Sequence, residues 1–210
     1  MRGLYAIVDA DALGGESELV LAFAYAVARA RPAAMQLRAK SWCARVTLEV
    51  ARAAAQCARD QDVLFFLNDR ADLALLCGAD GVHVGQEDLS VEQVRRIAPR
   101  LRIGVSTHDD AQLTAALEQR PDYAAYGPVF PTTSKQAPDP VVGLEALDRV
   151  SLRARAAGIP VVAIGGIDLE RAGSIGALGA CGAVIGALGT DPEGVGARAR
   201  ALHLALGGSG

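Results

Sequence analysis

The stretch LFFLNDRADLALLCGADGVHVGQEDLSVEQVRRIA, residues 64–98, contains two short apolar runs, and a longer helix-like segment follows each of them. LFFL (64–67) and GVHV (81–84) have the length of strands and little polar character, which is typical of parallel strands buried on both faces. Polar residues end each run, and an amphipathic pattern follows, clearest at 90–98. The stretch therefore predicts two successive strand–helix units, which build parallel α/β folds.

The same alternation extends over the whole chain. Other strand candidates are LYAIV (4–8), AAMQL (33–37), RIGV (102–105), YAAY (123–126), VVAI (161–164) and GAVIG (182–186), and helical patterns include 46–60 and 110–119. About eight such units predict a single-domain (β/α)₈ TIM barrel, which we place at 1–206 with a flexible C-terminal tail at 207–210. An open doubly wound sheet is the alternative. It is disfavoured because no GxGxxG turn follows the first strand, and because polar residues follow nearly every strand.

Composition narrows the class of function. The chain is 51% hydrophobic with a net charge of −3, and acidic and basic residues are mixed along it. This balance argues against a nucleic-acid surface. No apolar run approaches ~18 residues, so we expect no membrane span and a cytoplasmic location. Its four cysteines show no zinc-like spacing and are interpreted as buried free thiols. Small molecules are the expected partners, and a homo-oligomer is compatible with the sequence.

Two cations and an amide end the second strand. With period-two alternation, Gln36, Arg38 and Lys40 point to one side, toward the expected mouth of the barrel. Such a set suits an anion, and a diphosphate is a natural ligand. The alternative is a solvated strand end with two ordinary surface cations.

Acidic residues follow the next two strands. Asn68 and Asp69 end the third strand, and Asp88 follows the fourth. Carboxylates at neighbouring strand ends suit Mg²⁺, which takes one or two of them together with waters and phosphate oxygens. The alternative is that these residues are helix N-caps, because Asn and Asp are favoured there.

The remaining strand ends add hydroxyls and glycines. Ser106 follows the fifth strand, where His108 is interpreted as a capping or packing residue, and His203 in the last helix is expected at the surface. The long loop after the sixth strand carries hydroxyls and a lysine suited to a phosphate, at Thr132, Thr133, Ser134 and Lys135, and segment 132–140 is the candidate to close over a substrate. Glycine-rich turns after the last two strands let backbone N–H groups approach an anion.

In sequence order, the motifs QLRAK, LNDRADLAL, GVHVGQEDL, IGVSTH, GPVFPTTSK and AIGGI closely resemble those of the thiamine phosphate synthase family. The resemblance covers nearly the whole chain. It implies a TIM-barrel transferase that joins 4-amino-5-hydroxymethyl-2-methylpyrimidine diphosphate to 4-methyl-5-(2-phosphoethyl)thiazole, giving thiamine phosphate and pyrophosphate.

The resemblance also implies roles for single residues. Asp69 and Asp88 would bind Mg²⁺. The residues that would hold the pyrimidine diphosphate are Gln36, Arg38, Lys40, Asn68, Ser106 and Lys135, of which Arg38, Ser106 and Lys135 would also be catalytic. Those that would hold the thiazole phosphate are Thr132, Ser134, Gly166, Gly186 and Ala187.

Three positions depart from the family pattern. Ala39 replaces an acid inside QLRAK, Ser134 replaces a threonine and keeps its hydroxyl, and Ala187 stands where a serine is usual. Two alternatives stay open: a thiazole tautomerase-like paralogue on the same barrel, and a non-catalytic phosphate-ligand sensor. The tautomerase usually lacks the acids found here at Asp69 and Asp88.

Overall fold

The computed structural model describes residues 1–132 and 139–209. Within them, eight parallel strands close into a barrel in the order of the sequence. The elements are β1 (Leu4–Asp9), α1 (Ser17–Arg29), β2 (Ala34–Arg38), α2 (Ala44–Asp60), β3 (Leu64–Asn68), α3 (Ala71–Cys77), β4 (Gly81–Val84), α4 (Val91–Ile97), β5 (Arg102–Thr107), α5 (Asp110–Glu118), β6 (Tyr123–Tyr126), α6 (Gly143–Ala156), β7 (Val161–Ile164), α7 (Leu169–Ala177), β8 (Cys181–Val184) and α8 (Pro192–Ala205). The predicted TIM barrel is confirmed. The last strand begins and ends earlier than GAVIG (182–186) suggested.

The strands are apolar on both faces because each face packs against a different set of residues. One face joins the large core beneath the surrounding helices, while the other fills the barrel interior with a smaller cluster that includes Tyr5, Phe66 and Tyr123. Glycines make room for these rings: a Cβ on Gly81 would lie 2.4 Å from Phe66, and one on Gly104 would lie 2.0 Å from Tyr123. The interior is thus a packed core, as in other TIM barrels.

Two predictions about single residues are wrong. His203 is buried instead of lying at the surface, because its Nδ1 accepts a hydrogen bond from the backbone N–H of Leu4, 3.1 Å away. The four cysteines are free, as predicted, and Cys77 and Cys181 are buried, but Cys43 is exposed just ahead of α2.

The end of the chain contacts the barrel through His203. The backbone N–H of Gly208 donates to the carbonyl of His203 at 2.9 Å. The division into a barrel at 1–206 and a flexible tail at 207–210 stays a prediction. In the described part of the chain, none of the helices has the length and apolar character to cross a membrane.

Candidate active site

The cation at the end of β2 is held by an acid at the end of β1. Arg38 Nη1 lies 2.6 Å from Asp9 Oδ2, and Asp9 itself is only 6% exposed. The backbone N–H groups of Asp11 and Ala12 donate to the other carboxylate oxygen of Asp9, at 3.1 and 3.2 Å. The register pairs Asp9 with Arg38 directly, because β1 and β2 are parallel neighbours. The guanidinium is therefore fixed at the mouth before any ligand binds.

Gln36 and Lys40 connect β2 to β3. Gln36 is buried, and its Nε2 donates to Asn68 Oδ1 at 2.6 Å. Lys40 Nζ lies 3.6 Å from Asp69 Oδ2. The three polar residues predicted to share one side of β2 thus face acids or amides at neighbouring strand ends. A solvated strand end does not describe Gln36, which is buried, or Arg38, which is paired with a buried acid, whereas Lys40 is half-exposed.

The backbone at Asp69 is strained. Its φ is +64°, a region in which residues other than glycine are uncommon and Asp and Asn are enriched. The N–H of Arg70 donates to the carbonyl of Asn68 at 2.7 Å, which closes a three-residue γ-turn centred on Asp69. The N–H of Asp69 donates to the carbonyl of His83 at 2.7 Å and ties the turn to β4. Backbone outliers of this kind cluster at functional sites.

Asp69 and Asp88 lie close enough for their carboxylates to interact. Burial raises the pKa of Asp69, the negative charge of Asp88 raises it further, and Lys40 opposes both effects. Asp88 is exposed and accepts a hydrogen bond from the backbone N–H of Gly85 at 2.7 Å. Two carboxylates this close repel each other, and one half-exposed ammonium offsets that repulsion only in part. A small divalent cation between them would offset it more fully.

The helix-capping alternative for these acids is wrong. The N-cap of α3 is Arg70, and no side chain caps that helix. The N-cap of α4 is Ser90, whose hydroxyl accepts from the N–H of Gln93 while the Gln93 side chain accepts from the N–H of Ser90. This capping box leaves Asp88 free of the helix.

Ser106 joins the site from β5. Its hydroxyl lies 2.8 Å from His83 Nε2, and its carbonyl accepts from Gln86 Nε2 at 2.6 Å. Nδ1 of His83 lies 2.8 Å from the hydroxyl of Tyr123, and burial lowers the pKa of His83 to about 4. His108 packs in its loop, with Nδ1 2.9 Å from the carbonyl of Gly127.

The opposite side of the mouth is formed by backbone turns after β6, β7 and β8. Gly166 has a φ of +63°, and a Cβ there would lie 2.3 Å from the carbonyl oxygen of Pro131. Arg171 Nη1 donates to the Gly166 carbonyl at 2.8 Å, and its guanidinium lies 5.1 Å from the centre of the Phe130 ring. This arginine therefore holds the turn after β7 against the segment that precedes Thr132.

The turn after β8 begins a short 3₁₀ helix, Gly186–Leu188. The first N–H groups of such a turn have no partner inside it, so Gly186 and Ala187 present backbone donors rather than side chains. Thr132 is partly buried. Thr133, Ser134 and Lys135 lie outside the described residues, so their predicted contacts with phosphate stay predictions.

Comparisons with known proteins identify the same family over nearly the whole chain. The family model described as "Thiamine monophosphate synthase" matches residues 4–188. The chain belongs to this family. It is 45% identical over 194 residues to the thiamine-phosphate synthase of Koribacter versatilis, covering 90% of each chain. Its identity to the Anaeromyxobacter dehalogenans thiamine-phosphate synthase is 43% over 205 residues, covering 96% of this chain and 87% of the other.

A solved structure of the same kind supports the assignment. Thiamine phosphate pyrophosphorylase from Pyrococcus furiosus matches with a TM-score of 0.84 and 34% identity, covering 98% of this chain and 96% of that one.

Three residues of this site were not predicted from the sequence. Asp9 pairs with Arg38, and its only sequence signal is its position at the end of LYAIVD, the first strand. Asp11 lies 3.9 Å from Arg38 Nη1, and hydrogen bonding from Ser41 is the main cause of its lowered pKa. Arg171 supports Gly166 from α7, and a single arginine in a helix gives no sequence signal.

Proposed function

We propose that this protein is a thiamine phosphate synthase that joins 4-amino-5-hydroxymethyl-2-methylpyrimidine diphosphate to 4-methyl-5-(2-phosphoethyl)thiazole. The observation that supports this activity most strongly is the pair Asp69 and Asp88, which interact at adjacent strand ends and cap no helix. The tautomerase-like alternative does not need such a pair, because an isomerisation releases no diphosphate.

Mg²⁺ is the proposed cofactor, and Asp69 and Asp88 are its proposed ligands. Among residues 1–132 and 139–209, no group of three or more His, Cys, Asp or Glu side chains is arranged to hold a metal alone. A site with only two carboxylates suits Mg²⁺, which keeps several waters and takes phosphate oxygens from a substrate. When bound, the ion would neutralise charge on the diphosphate.

The cations at the mouth would bind the diphosphate and stabilise the charge that it gains on leaving. Arg38 is oriented through Nη1 by Asp9, and Lys40 faces Asp69. Lys135, outside the described residues, is proposed to add a third cation, and Gln36 and Asn68 to contact the pyrimidine diphosphate. Fixed charges of this kind lower a barrier because they need no rearrangement as the leaving group departs.

The proposed reaction is a displacement with dissociative character. The bond between the pyrimidine methylene carbon and the diphosphate oxygen breaks, and its electron pair goes to pyrophosphate. The thiazole nitrogen then gives its lone pair to the same carbon. No proton moves in either step, so the site requires no general base, and none of its roles is assigned to a titrating histidine.

The proposed ligands of the thiazole phosphate are Thr132, Gly166, Gly186 and Ala187, together with Ser134, which lies outside the described residues. Positive φ at Gly166 and the 3₁₀ turn at Gly186 favour backbone donors there. Ala187 offers no hydroxyl, so this chain would bind the phosphate with one side-chain donor fewer than the usual family pattern. A cytoplasmic location and a homo-oligomer also remain proposals.

Incubation of the purified protein with both substrates and Mg²⁺ tests the activity. The synthase proposal expects thiamine phosphate and pyrophosphate in equal amounts, measured by liquid chromatography with mass detection. A sensor would bind either ligand and form no product. A tautomerase would convert an isomeric thiazole phosphate without using the pyrimidine diphosphate. Either result would refute the proposal.

A further inference from the structure

Four polar side chains form a continuous hydrogen-bonded chain through the barrel interior. The hydroxyls of Tyr5 and Tyr123 lie 2.7 Å apart, the Tyr123 hydroxyl lies 2.8 Å from His83 Nδ1, and His83 Nε2 lies 2.8 Å from Ser106 Oγ. Tyr5 and Tyr123 are 1% and 2% exposed. This hydrogen-bonded chain therefore begins at a buried hydroxyl in the barrel interior and ends at a residue of the candidate active site.

The barrel holds this chain rigidly. Tyr5 is on β1, His83 on β4 and Tyr123 on β6; Tyr5 and Tyr123 belong to the interior cluster, and His83 contacts it through the Tyr123 hydroxyl. The absence of a side chain at Gly104 leaves room for the Tyr123 ring. The rings of His83 and Tyr123 are stacked at 17° with centroids 5.6 Å apart.

Protons can be placed along this chain in two directions. In the inward direction, Ser106 donates to His83, His83 donates from Nδ1 to Tyr123, and Tyr123 donates to Tyr5. In the outward direction, Tyr5 donates to Tyr123, Tyr123 donates to His83 Nδ1, and His83 donates from Nε2 to Ser106. Each direction needs one ring proton on His83, on Nδ1 in the inward direction and on Nε2 in the outward direction.

The Tyr5 hydroxyl, the buried end of the hydrogen-bonded chain, decides between the inward and the outward direction. In the described part of the chain, the only hydrogen-bond partner of the Tyr5 hydroxyl is Tyr123. The inward direction would leave the Tyr5 O–H buried without an acceptor, whereas the outward direction leaves only an unused lone pair. An unsatisfied buried donor is the costlier of the two. The outward direction also frees the Ser106 O–H, since that oxygen already accepts from His83.

We propose that Tyr123 and His83 are positioning residues. Tyr123 holds His83 as the Nε2–H tautomer, and His83 in turn leaves the Ser106 hydroxyl free to act as a hydrogen-bond donor at the barrel mouth. Its acceptor would be an aromatic ring nitrogen of the substrate, an assignment that rests on the proposed function. An oriented donor discriminates between substrates because it pairs with a ring nitrogen and rejects a C–H at the same position.

The tautomer can be measured without any activity. The chain has three histidines, so two-bond ¹H–¹⁵N correlation spectra of histidine-labelled protein contain three rings, and the signal lost in His83→Gln identifies His83. We expect Nε2 to carry the proton and Nδ1 to show the shift of an unprotonated nitrogen. Tyr5→Phe should keep this tautomer, because Tyr123 then has His83 as its only acceptor. A protonated Nδ1 in the wild-type protein overturns the proposal, whatever reaction the protein catalyses.

The consequence for binding can be measured with matched variants. Tyr123→Phe removes the donor to His83, and KM for the pyrimidine diphosphate should rise by roughly three- to tenfold, as expected for one hydrogen bond. Ser106→Ala should raise it by a similar factor, and the double variant should be no worse than either, because both remove the same interaction.

Tyr126→Phe is the control. It removes a hydroxyl from the same strand, where Tyr126 contacts Asp110 outside the barrel at 3.3 Å, so KM should stay at the wild-type value. Additive effects of Tyr123→Phe and Ser106→Ala overturn the proposal, as does an equal effect of Tyr126→Phe. If the wild-type protein formed no thiamine phosphate, the proposed function would be refuted, and the tautomer measurement would still test the proposed orientation of the hydrogen bonds from Tyr5 to Ser106.

Discussion

Replacing Asp69 with Asn should separate the destabilisation of the folded protein by this buried acid from its proposed role in binding Mg²⁺. The change removes the charge and keeps the size of the side chain, and Asn tolerates the φ of +64° found here. Asp69→Ala is a poorer test because an ordinary side chain in left-handed backbone costs roughly 1–2 kcal/mol, which would confuse lost folding with lost binding.

Without metal, the variant should be at least as stable as the wild-type protein. Burial and the charge of Asp88 raise the pKa of Asp69, so the folded state binds its proton more tightly than the unfolded state does. Stability therefore falls as pH rises above the ordinary value of 3.8 and through the raised pKa of the folded state. Asn removes this loss of stability. It also loses the 3.6 Å pair with Lys40, which is half-exposed and contributes at most about 1 kcal/mol.

With metal, the order should reverse. A ligand at 100 times its Kd stabilises a protein by about 2.7 kcal/mol. For a chain of this length, that corresponds to a rise of about 5–10 °C in Tm. Wild-type protein should show a rise of this size when Mg²⁺ and pyrophosphate replace a chelator, and Asp69→Asn should show little or none, together with a strong loss of turnover.

The assay is thermal unfolding in chelator and in Mg²⁺ with pyrophosphate. Asp72→Asn is the matched control, because it removes a nearby carboxylate whose ion pair is with Arg70. It should keep the full rise. An equal rise in Asp69→Asn and wild-type protein would refute the assignment of Asp69 as a metal ligand.

Three further predictions follow from single contacts. Ser90→Ala should cost about 0.5–2 kcal/mol of stability in chemical denaturation, because it removes the cap of α4, and should leave turnover per folded molecule unchanged; a large loss of turnover would contradict the structural role. Gly166→Ala should raise KM for the thiazole phosphate more than KM for the pyrimidine diphosphate, because its Cβ would lie 2.3 Å from the Pro131 carbonyl oxygen, whereas Gly173→Ala meets nothing within 4 Å and should leave both KM values unchanged. The lowered pKa of His83 means that the unfolded state binds its proton first as pH falls, so stability should decrease between pH 6.5 and about 4 by at most about 3 kcal/mol; denaturation at several pH values should show a shallower slope in His83→Gln.

The barrel could be predicted from the sequence because its strands are apolar on both faces. Runs such as YAAY (123–126) and VVAI (161–164) have no solvent side, and the structure gives β6 and β7 those bounds. The number of units then specified the fold. Strand ends were less certain, because pairing at the barrel rim depends on neighbours that periodicity does not show: Arg38 belongs to β2 through its pairing with Asp9.

The site was only partly predictable, because the same residue types perform different tasks. Asp69 and Asp88 had the composition of helix caps, and only the backbone shows that Ser90 caps α4 and that no side chain caps α3. Partners far apart in sequence gave no local signal. His203 is buried because Leu4 needs an acceptor 199 residues away, and Asp9 meets Arg38 across two strands.

The γ-turn at Asp69 limits which amino acids this position can tolerate. Its backbone favours glycine, asparagine and aspartate, whereas the proposed metal site accepts only a carboxylate. Aspartate alone meets both requirements. Glutamate, the usual conservative replacement, would keep the charge, but it would place an unfavoured residue in the turn and move the carboxylate one methylene farther from β3. Shape and charge thus reduce position 69 to one of the twenty residues, and a drift to glutamate in a relative would mean that the turn, the metal site or both had changed.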